Sequence, residues 1–299
     1  MIRSLRELLE KAKQAGRKNL VVVGAEDAEA VEATLMAKKE GLVGRIFLVG
    51  NVQKLKSYEN LSDVEVVDSS DEVDASEKGV KLVSSKKADV LVKGLVKTSV
   101  LLKAVLNKEW GLRGSGLLTH IVAVEVPALD RVVFVSDGGI VIRPSLEEKV
   151  KLINNAVEVM RKLGYETPKI ALICAVETVN PAMPETVEAA ILAKMNQRGE
   201  IKNCIVDGPL GLDNALDSRA AEVKGVKSPV AGCADLLIVP DIHSGNFLGK
   251  SAIYFAGGKI AGMVIGSKAP IVLVSRADTA ESKLLSIAMA CATSGGMGE

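Results

Sequence analysis

The pair Ser275-Arg276 carries the most pointed chemistry in this chain of 299 residues. The apolar run PIVLV at 270–274 ends in a hydroxyl and a guanidinium, and Asp278, Thr279 and Glu281 then open a helical pattern. Free peptide N–H groups at a helix start, joined by a planar guanidinium, can form an anion pocket. A plainer reading has Asp278 and Glu281 capping the helix while Arg276 makes a surface ion pair. Other polar groups that directly follow apolar runs are Lys93, Lys97 and Thr98, then Asp137-Gly138-Gly139, Glu177 to Asn180, Asp207-Gly208-Pro209, and Asp241 to Asn246. In a parallel α/β sheet the carboxyl ends of strands are where ligands bind, so these are the positions to examine first.

Two nucleotide-loop patterns fail on spacing. Gly245-Asn246-Phe247-Leu248-Gly249-Lys250-Ser251 is one residue short of a Walker A loop and cannot form the same phosphate cradle. Gly114-Ser115-Gly116 has Thr119 where a dinucleotide fingerprint needs its third glycine, and no apolar strand precedes it. The two histidines, His120 and His243, have no H-x-x-x-H or cysteine partner, so no metal is expected. Cys174, Cys204, Cys233 and Cys291 lie far apart without a C-x-x-C pair, which argues against zinc and disulfides and for small buried residues.

The elements that must position these groups alternate along the whole chain. Short apolar runs at 19–25, 45–50, 88–94 and 131–139 read as strands, and a second series follows at 169–177, 202–209, 234–241, 259–266 and 270–276. Strands apolar on both faces must be covered on both faces, so the expected fold is α/β with doubly wound parallel sheets. Helices are expected at 3–15, 27–40, 76–87, 98–108, 145–163, 184–198, 214–224, 245–256 and 278–292. The clearest begins at Ser145, with Glu148 in capping-box spacing. A boundary near 141–145 divides the chain into domain I, 1–141 with the C-terminal 277–299, and domain II, 142–276.

Hydrophobic residues form 48% of the chain and charged residues 25%, a balance expected of a globular protein with an aliphatic core. A net charge of +1 offers no general attraction to nucleic acid or to an anionic membrane. The charged amphipathic start lacks the apolar core of a secretory signal, and no run is long enough to span a membrane, so a cytoplasmic protein is expected.

The segments VNPAMPETVEAAILAKM, IVDGPLGLDNAL, SPVAGCADLLIVPDIHSGNFLGK and SKAPIVLVSRADTAESKLLSIAMA resemble the phosphate acetyl/butyryltransferases, in the family's order. The resemblance extends over almost the whole chain and is strongest from about 170 to 290. KSPVAGCADLLIVPDIHSGN, SRADTAESK and the compact length are more similar to the butyryl than to the acetyl branch. This implies two α/β domains with a cleft between them, similar to isocitrate and isopropylmalate dehydrogenases, in a homodimer or larger homo-oligomer. It implies transfer of butyryl or a related short or branched acyl group between coenzyme A and phosphate, by direct attack in a ternary complex. Acyl-CoA, phosphate and acyl phosphate are then the partners, and coenzyme A is a substrate rather than a cofactor.

The resemblance assigns Arg276 to the phosphate and Ser275 to polarising the thiol sulfur or the carbonyl oxygen. Lys103 falls where acetyl-type members carry a second phosphate-binding arginine, and offers charge without a bidentate fork. Their aspartate seven residues after the serine is Ser282 here, with Glu281 beside it as the candidate base. Asp241, Gly245 and Asn246 match the family's PD-x-x-x-GN stretch, and Asp207 lies in its DGP; turn chemistry alone is the alternative for both. Thr98, Thr119, His120, Arg143 and Asn180 complete the substrate-binding candidates. Other functions are acetyl or propionyl transfer, a catalytically silent CoA- or acyl-phosphate-binding protein, and a metal-dependent 2-hydroxyacid dehydrogenase. A dehydrogenase of that kind should carry an arginine-rich substrate motif, which this sequence lacks.

Overall fold

The computed structural model describes residues 2–58, 61–114, 116–273 and 278–295, and the chain forms two units. One unit combines 5–118 with 261–299, and the other combines 1–4 with 119–260.

In the first unit, α1 (Glu7–Gln14), β1 (Lys18–Val23), α2 (Ala28–Lys39), β2 (Val43–Gly50), α3 (Val52–Leu55), β3 (Val64–Asp68), α4 (Glu72–Ser84), β4 (Val90–Lys93) and α5 (Thr98–Val105) follow in sequence. In the second unit, β5 (Thr119–Glu125), β6 (Val133–Ser136), α6 (Leu146–Lys162), β7 (Lys169–Ile173), α7 (Pro184–Gln197), β8 (Ile205–Leu210), α8 (Leu212–Leu216), α9 (Ser218–Val223), β9 (Leu236–Ile238) and α10 (Ile242–Tyr254) follow. The chain then returns to the first unit through β10 (Lys259–Ile265), β11 (Ile271–Val272) and α11 (Ala280–Thr293).

The first unit's strands run β3-β2-β1-β4-β11-β10, parallel except that β10 is antiparallel to β11. The sequence steps outward from β1 to β2 and β3 and then crosses to β4 on β1's other side. Right-handed crossovers therefore put α2 and α4 on opposite faces, which is why β1 is buried along Leu20–Val23. Asp27 caps α2 by accepting from the Ala30 N–H, and Asp71 caps α4 by accepting from Val73 and Asp74. Helix α11 is apolar on nearly every side and packs with α1 and α2.

The second unit's strands run β5-β6-β9-β7-β8, with β5 antiparallel to β6 and the rest parallel. Helix α6 starts with the expected reciprocal capping box between Ser145 and Glu148. Its buried Lys149 pairs with Glu188 of α7. The Phe134 and Tyr165 rings meet edge to face with centroids 5.7 Å apart, and the Tyr165 hydroxyl accepts from the Ile2 N–H, which ties the chain start to this unit.

The α/β class stands, with three departures from the sequence reading. The sheets are mixed because β5 and β10 run against their neighbours. Strands β3 and β5 were absent from the expected set, and β3, paired with β2 alone at the edge of the sheet, is only partly buried, so its VEVVD mixes apolar and acidic residues instead of running apolar. Residues 119–141 go with the second unit, not with a domain ending at 141, because β5 bonds to β6 and β6 bonds to β9. The C-terminal segment 261–299 forms one unit with 5–118.

Among the described residues, no helix is long and apolar enough to cross a membrane. Cys174, Cys204 and Cys291 are buried, whereas Cys233 is half-buried and its sulfur accepts from Lys169 Nζ at 3.1 Å.

Candidate functional site

Ser275 and Arg276, the centre of the sequence assignment, lie outside the described residues. The helix that follows them is described from its cap onward. Thr279, not Asp278 or Glu281, is the cap of α11, its Oγ1 accepting from the Ser282 N–H at 3.3 Å. Glu281 is exposed in the first turn. Lys283 on the same turn is buried and pairs with Glu29 at 2.5 Å, which fixes the start of α11 against α2.

Thr98 opens α5 directly after β4, and Lys103 lies exposed five residues further on. At 3.6 residues per turn these two positions stand about 140° apart around the helix, so they do not share a face. Lys93 at the end of β4 is buried, with its Nζ donating to the Gly94 carbonyl at 3.2 Å.

In the second unit a group of candidates converges on one carboxylate. Asp137, just past β6, is 2% exposed. Its Oδ2 accepts from the His120 N–H at 2.6 Å, and its Oδ1 accepts from the N–H groups of Gly139 at 2.7 Å and Ile140 at 2.8 Å. Ser136 Oγ donates to the His120 carbonyl at 2.8 Å, so both backbone groups of His120 are held by the end of β6. The His120 ring lies against Gly139, where a Cβ would stand 3.1 Å from the imidazole.

Helix α10 presents its N-terminus to this loop. Asp241 is the cap, accepting from the Ser244 N–H at 2.9 Å and the Ser244 hydroxyl at 2.8 Å. Those bonds, with His243 and Arg143 nearby, hold the Asp241 carboxyl below the usual aspartate range. Arg143 Nη2 lies 3.7 Å from Asp241 Oδ2 with its side chain 78% exposed, so the guanidinium remains open to an anion. Gly245 fits flat against the Asp137-Gly138 backbone, because a Cβ there would stand 2.6 Å from the Asp137 carbonyl oxygen. Asn246 Nδ2 then donates to the Gly138 carbonyl at 3.4 Å. Thr119 is fully buried at the start of β5 and accepts from Asn155 Nδ2 at 3.2 Å, a structural contact.

Asn180 and Asp207 do not join this group: among the described residues, no hydrogen bond or ion pair links either to it. Asn180 organises the loop before α7, its Oδ1 accepting from the Ala182 N–H at 2.9 Å. Asp207-Gly208-Pro209 lies within β8 and not in a loop, in register with β7 through the pair Ala171 and Asp207. Asp207 Oδ1 accepts from the next N–H, that of Gly208, at 2.9 Å. A Cβ on Gly208 would come within 2.7 Å of Leu172 Cβ, so this glycine is required by packing. Strand pairing and close packing describe the local setting of this triplet.

The organising role of Asp137 was the main feature missed from the sequence. Its signal is an aspartate followed by two glycines directly after an apolar run.

Comparison with known proteins completes the picture. Residues 63–291 match the family described as Phosphate acetyl/butaryl transferase. A protein of Bacillus subtilis described as a probable phosphate butyryltransferase is 47% identical, with 97% of this chain and 98% of that protein covered. A phosphate acetyltransferase of Thermotoga maritima is 42% identical, covering 95% of this chain and 98% of the relative. The crystal structure of a branched-chain phosphotransacylase from Enterococcus faecalis superposes with a TM-score of 0.83 at 33% identity, covering 92% of this chain and 98% of that one. The chain belongs to the phosphate acetyl/butyryltransferase family and is an acyltransferase.

Proposed function

We propose that this protein transfers butyryl, or a related short or branched acyl group, between coenzyme A and phosphate. The observation that carries the reading is the full-length similarity to a probable phosphate butyryltransferase at 47% identity, joined by the likeness to a branched-chain phosphotransacylase. Acetyl transfer is the second reading, favoured by the Thermotoga maritima acetyltransferase at 42% identity.

In the direction that consumes acyl phosphate, a coenzyme A thiolate attacks the acyl carbonyl carbon. The tetrahedral oxyanion collapses, the bond from carbon to the phosphate oxygen breaks, and phosphate leaves with its electron pair. The opposite direction exchanges nucleophile and leaving group. Positioning the two reactants in one complex supplies much of the acceleration, and donors at the oxyanion and cations at the phosphate supply the rest. Arg276 holds the phosphate, with Lys103 as a second cation, and Ser275 polarises the sulfur or the carbonyl oxygen. Glu281 is the candidate proton acceptor. A thiol with a pKa of about 8.5 is already a few per cent ionised near neutrality, so a positive pocket demands little of that base.

Thr98, Arg143, Asn180, Asp241, Asn246 and His120 are the substrate-binding groups proposed beside it. The exposed guanidinium of Arg143 is the best supported of them, while the local bonds of Asp207 favour a structural role. No metal or cofactor takes part, coenzyme A being a substrate, and the protein works in the cytoplasm as a homodimer or larger homo-oligomer. Phe247 and Tyr254 on α10 and Phe255 just past its end, exposed by 65%, 72% and 90%, support association with a second copy.

The test is phosphate-dependent release of coenzyme A from acetyl-, propionyl-, butyryl- and isobutyryl-CoA by purified protein. Fastest release with four-carbon acyl groups is expected. Preference for acetyl-CoA selects the second reading, and coenzyme A binding without any release identifies a silent binding protein.

A further inference from the structure

The first unit contains a cavity of about 210 Å³ at the carboxyl ends of four parallel strands, which the acyl-transfer reading does not use. It is lined by the loops after β1, β2, β3 and β4, including Glu26, Asn51, Ser69, Asp71, Leu95 and Val96. The strand order β3-β2-β1-β4 makes this the point where the chain reverses its direction of winding, the place where open α/β sheets bind ligands.

The lining is prepared for hydroxyl groups. Glu26 belongs to the loop after β1, yet its Oε1 accepts from the Asn51 N–H at 2.9 Å, which holds the carboxylate at the end of β2. That is where a nucleotide-binding sheet keeps the acid that grips a ribose hydroxyl. Glu26 Oε2 and Asp71 Oδ2 have no hydrogen bond among the described residues, since Asp71 caps α4 through Oδ1 alone. Asn51 uses its Oδ1 to cap α3, leaving its Nδ2 as a donor. Ser69 is only 7% exposed, and its N–H donates to the Gly50 carbonyl. Among the described residues its hydroxyl, which lines the cavity, has no partner. Facing the cavity with no protein partner, this hydroxyl is available to a polar ligand.

The same loops reject phosphate. Gly24 (φ +72°) abuts the Leu95 backbone, where a Cβ would stand at 2.8 Å, and the N–H groups of Gly24, Ala25, Gly94 and Leu95 all donate to backbone carbonyls, so this turn offers none to a phosphate. Where a dinucleotide fold places further glycines and an open helix N-terminus, the sequence is Glu26-Asp27-Ala28-Glu29, and Asp27 already caps α2. Lys54 is the one cation of the lining, against Glu26, Asp71 and Glu72. A volume below the roughly 300–1,000 Å³ of drug-sized pockets fits a single nucleoside unit.

We propose that this cavity is a nucleoside site that takes a ribose with free 2′ and 3′ hydroxyls. Glu26 and Asp71 accept from the diol, Asn51 and Ser69 donate to it, and the base lies against Leu95 and Val96. The adenosine of coenzyme A carries a 3′-phosphate, which these carboxylates repel, so this ligand is not the acyl-transfer substrate.

The test is calorimetric titration of the full chain with adenosine, 2′-deoxyadenosine and 3′-AMP. Saturable adenosine binding is expected, at least tenfold weaker for the other two. Glu26→Gln, which keeps an acceptor for Asn51, and Ser69→Ala are each expected to weaken adenosine at least tenfold, with circular dichroism confirming their folding. The proposal is overturned by absence of adenosine binding at millimolar concentration, by equal affinity for 3′-AMP, or by unchanged affinity in a folded Glu26→Gln. Phosphate-dependent coenzyme A release by the same wild-type preparation reads the acyl-transfer assignment separately.

Discussion

Replacing Asp137 with asparagine removes only a charge and one acceptor, yet the structure makes it costly. Three backbone N–H groups converge on this carboxylate, at 2.6, 2.7 and 2.8 Å, in a site that is 2% exposed. The amide of the variant turns its oxygen to Gly139 and Ile140, which leaves its NH2 facing the His120 N–H, donor against donor. A hydrogen bond to a charged group contributes about 1.5–3 kcal/mol, and a buried donor left unsatisfied costs about 1–3 kcal/mol more. The expected destabilisation is about 3 kcal/mol, which for a unit of this size lowers Tm by about 6–12 °C. Asp207→Asn is the control, because Asp207 accepts only from the adjacent Gly208 N–H at the half-exposed β8 and is expected to cost less than about 1 kcal/mol. Thermal unfolding followed by circular dichroism at pH 7 compares the two. Coenzyme A release should fall in Asp137→Asn as well, because His120 and the Gly138 carbonyl that binds Asn246 hang on the same loop. Equal Tm values for the two variants would refute the reasoning.

Four further outcomes are expected. Arg276→Ala should lower kcat/KM at least a hundredfold with Tm unchanged, and Glu281→Gln should lose far less in the same coenzyme A release assay; equal losses would make Glu281 an essential base. Gly245→Ala should cost about 1–3 kcal/mol in urea unfolding, since its Cβ would stand 2.6 Å from the Asp137 carbonyl oxygen. The Asp241 carboxyl is held below its ordinary value by the Ser244 bonds, so its contribution is present above the unfolded pKa of about 3.9 and is lost as pH falls through the lower folded value. Asp241→Asn, which keeps a cap but loses the charge at the helix N-terminus, should therefore be about 0.3–1 kcal/mol less stable at pH 7, a difference that shrinks below about pH 4 in acid titrations of unfolding. Burial pushes the Cys174 and Cys204 thiols up to about 11 and Cys291 to about 12, so a thiol reagent at pH 8 should modify native protein at the half-buried Cys233 first, as peptide mapping will show.

Much of the frame could be read from local pattern. Continuous apolar runs identify β1, β2 and β4 because strands buried on both faces need no alternation. The Ser145 and Glu148 pair announces the start of α6. The long motif segments between 179 and 290 point to the family, since several extended runs in one order are far more specific than any single loop. Asp241 could be picked out as a strand-end polar residue by the same local rule.

Other features depend on contacts between residues far apart in sequence, which no local pattern encodes. The direction of β5 and β10, and with it the assignment of 119–141 to the second unit, is set by which strand each one pairs with. Asp137 becomes an organising group only because His120, seventeen positions earlier, presents its N–H there, and Gly245, more than a hundred positions later, lies flat against the same loop. Asp207 has the composition of a turn, but pairing with β7 draws it into a strand. Local sequence therefore determined most of the strands and helices and the family they spell, because those depend on periodicity, caps and long motif runs, whereas β3 and β5 escaped it. Tertiary structure alone decided which strand-end groups meet, because hydrogen-bond partners and close backbone approach are properties of the folded neighbourhood.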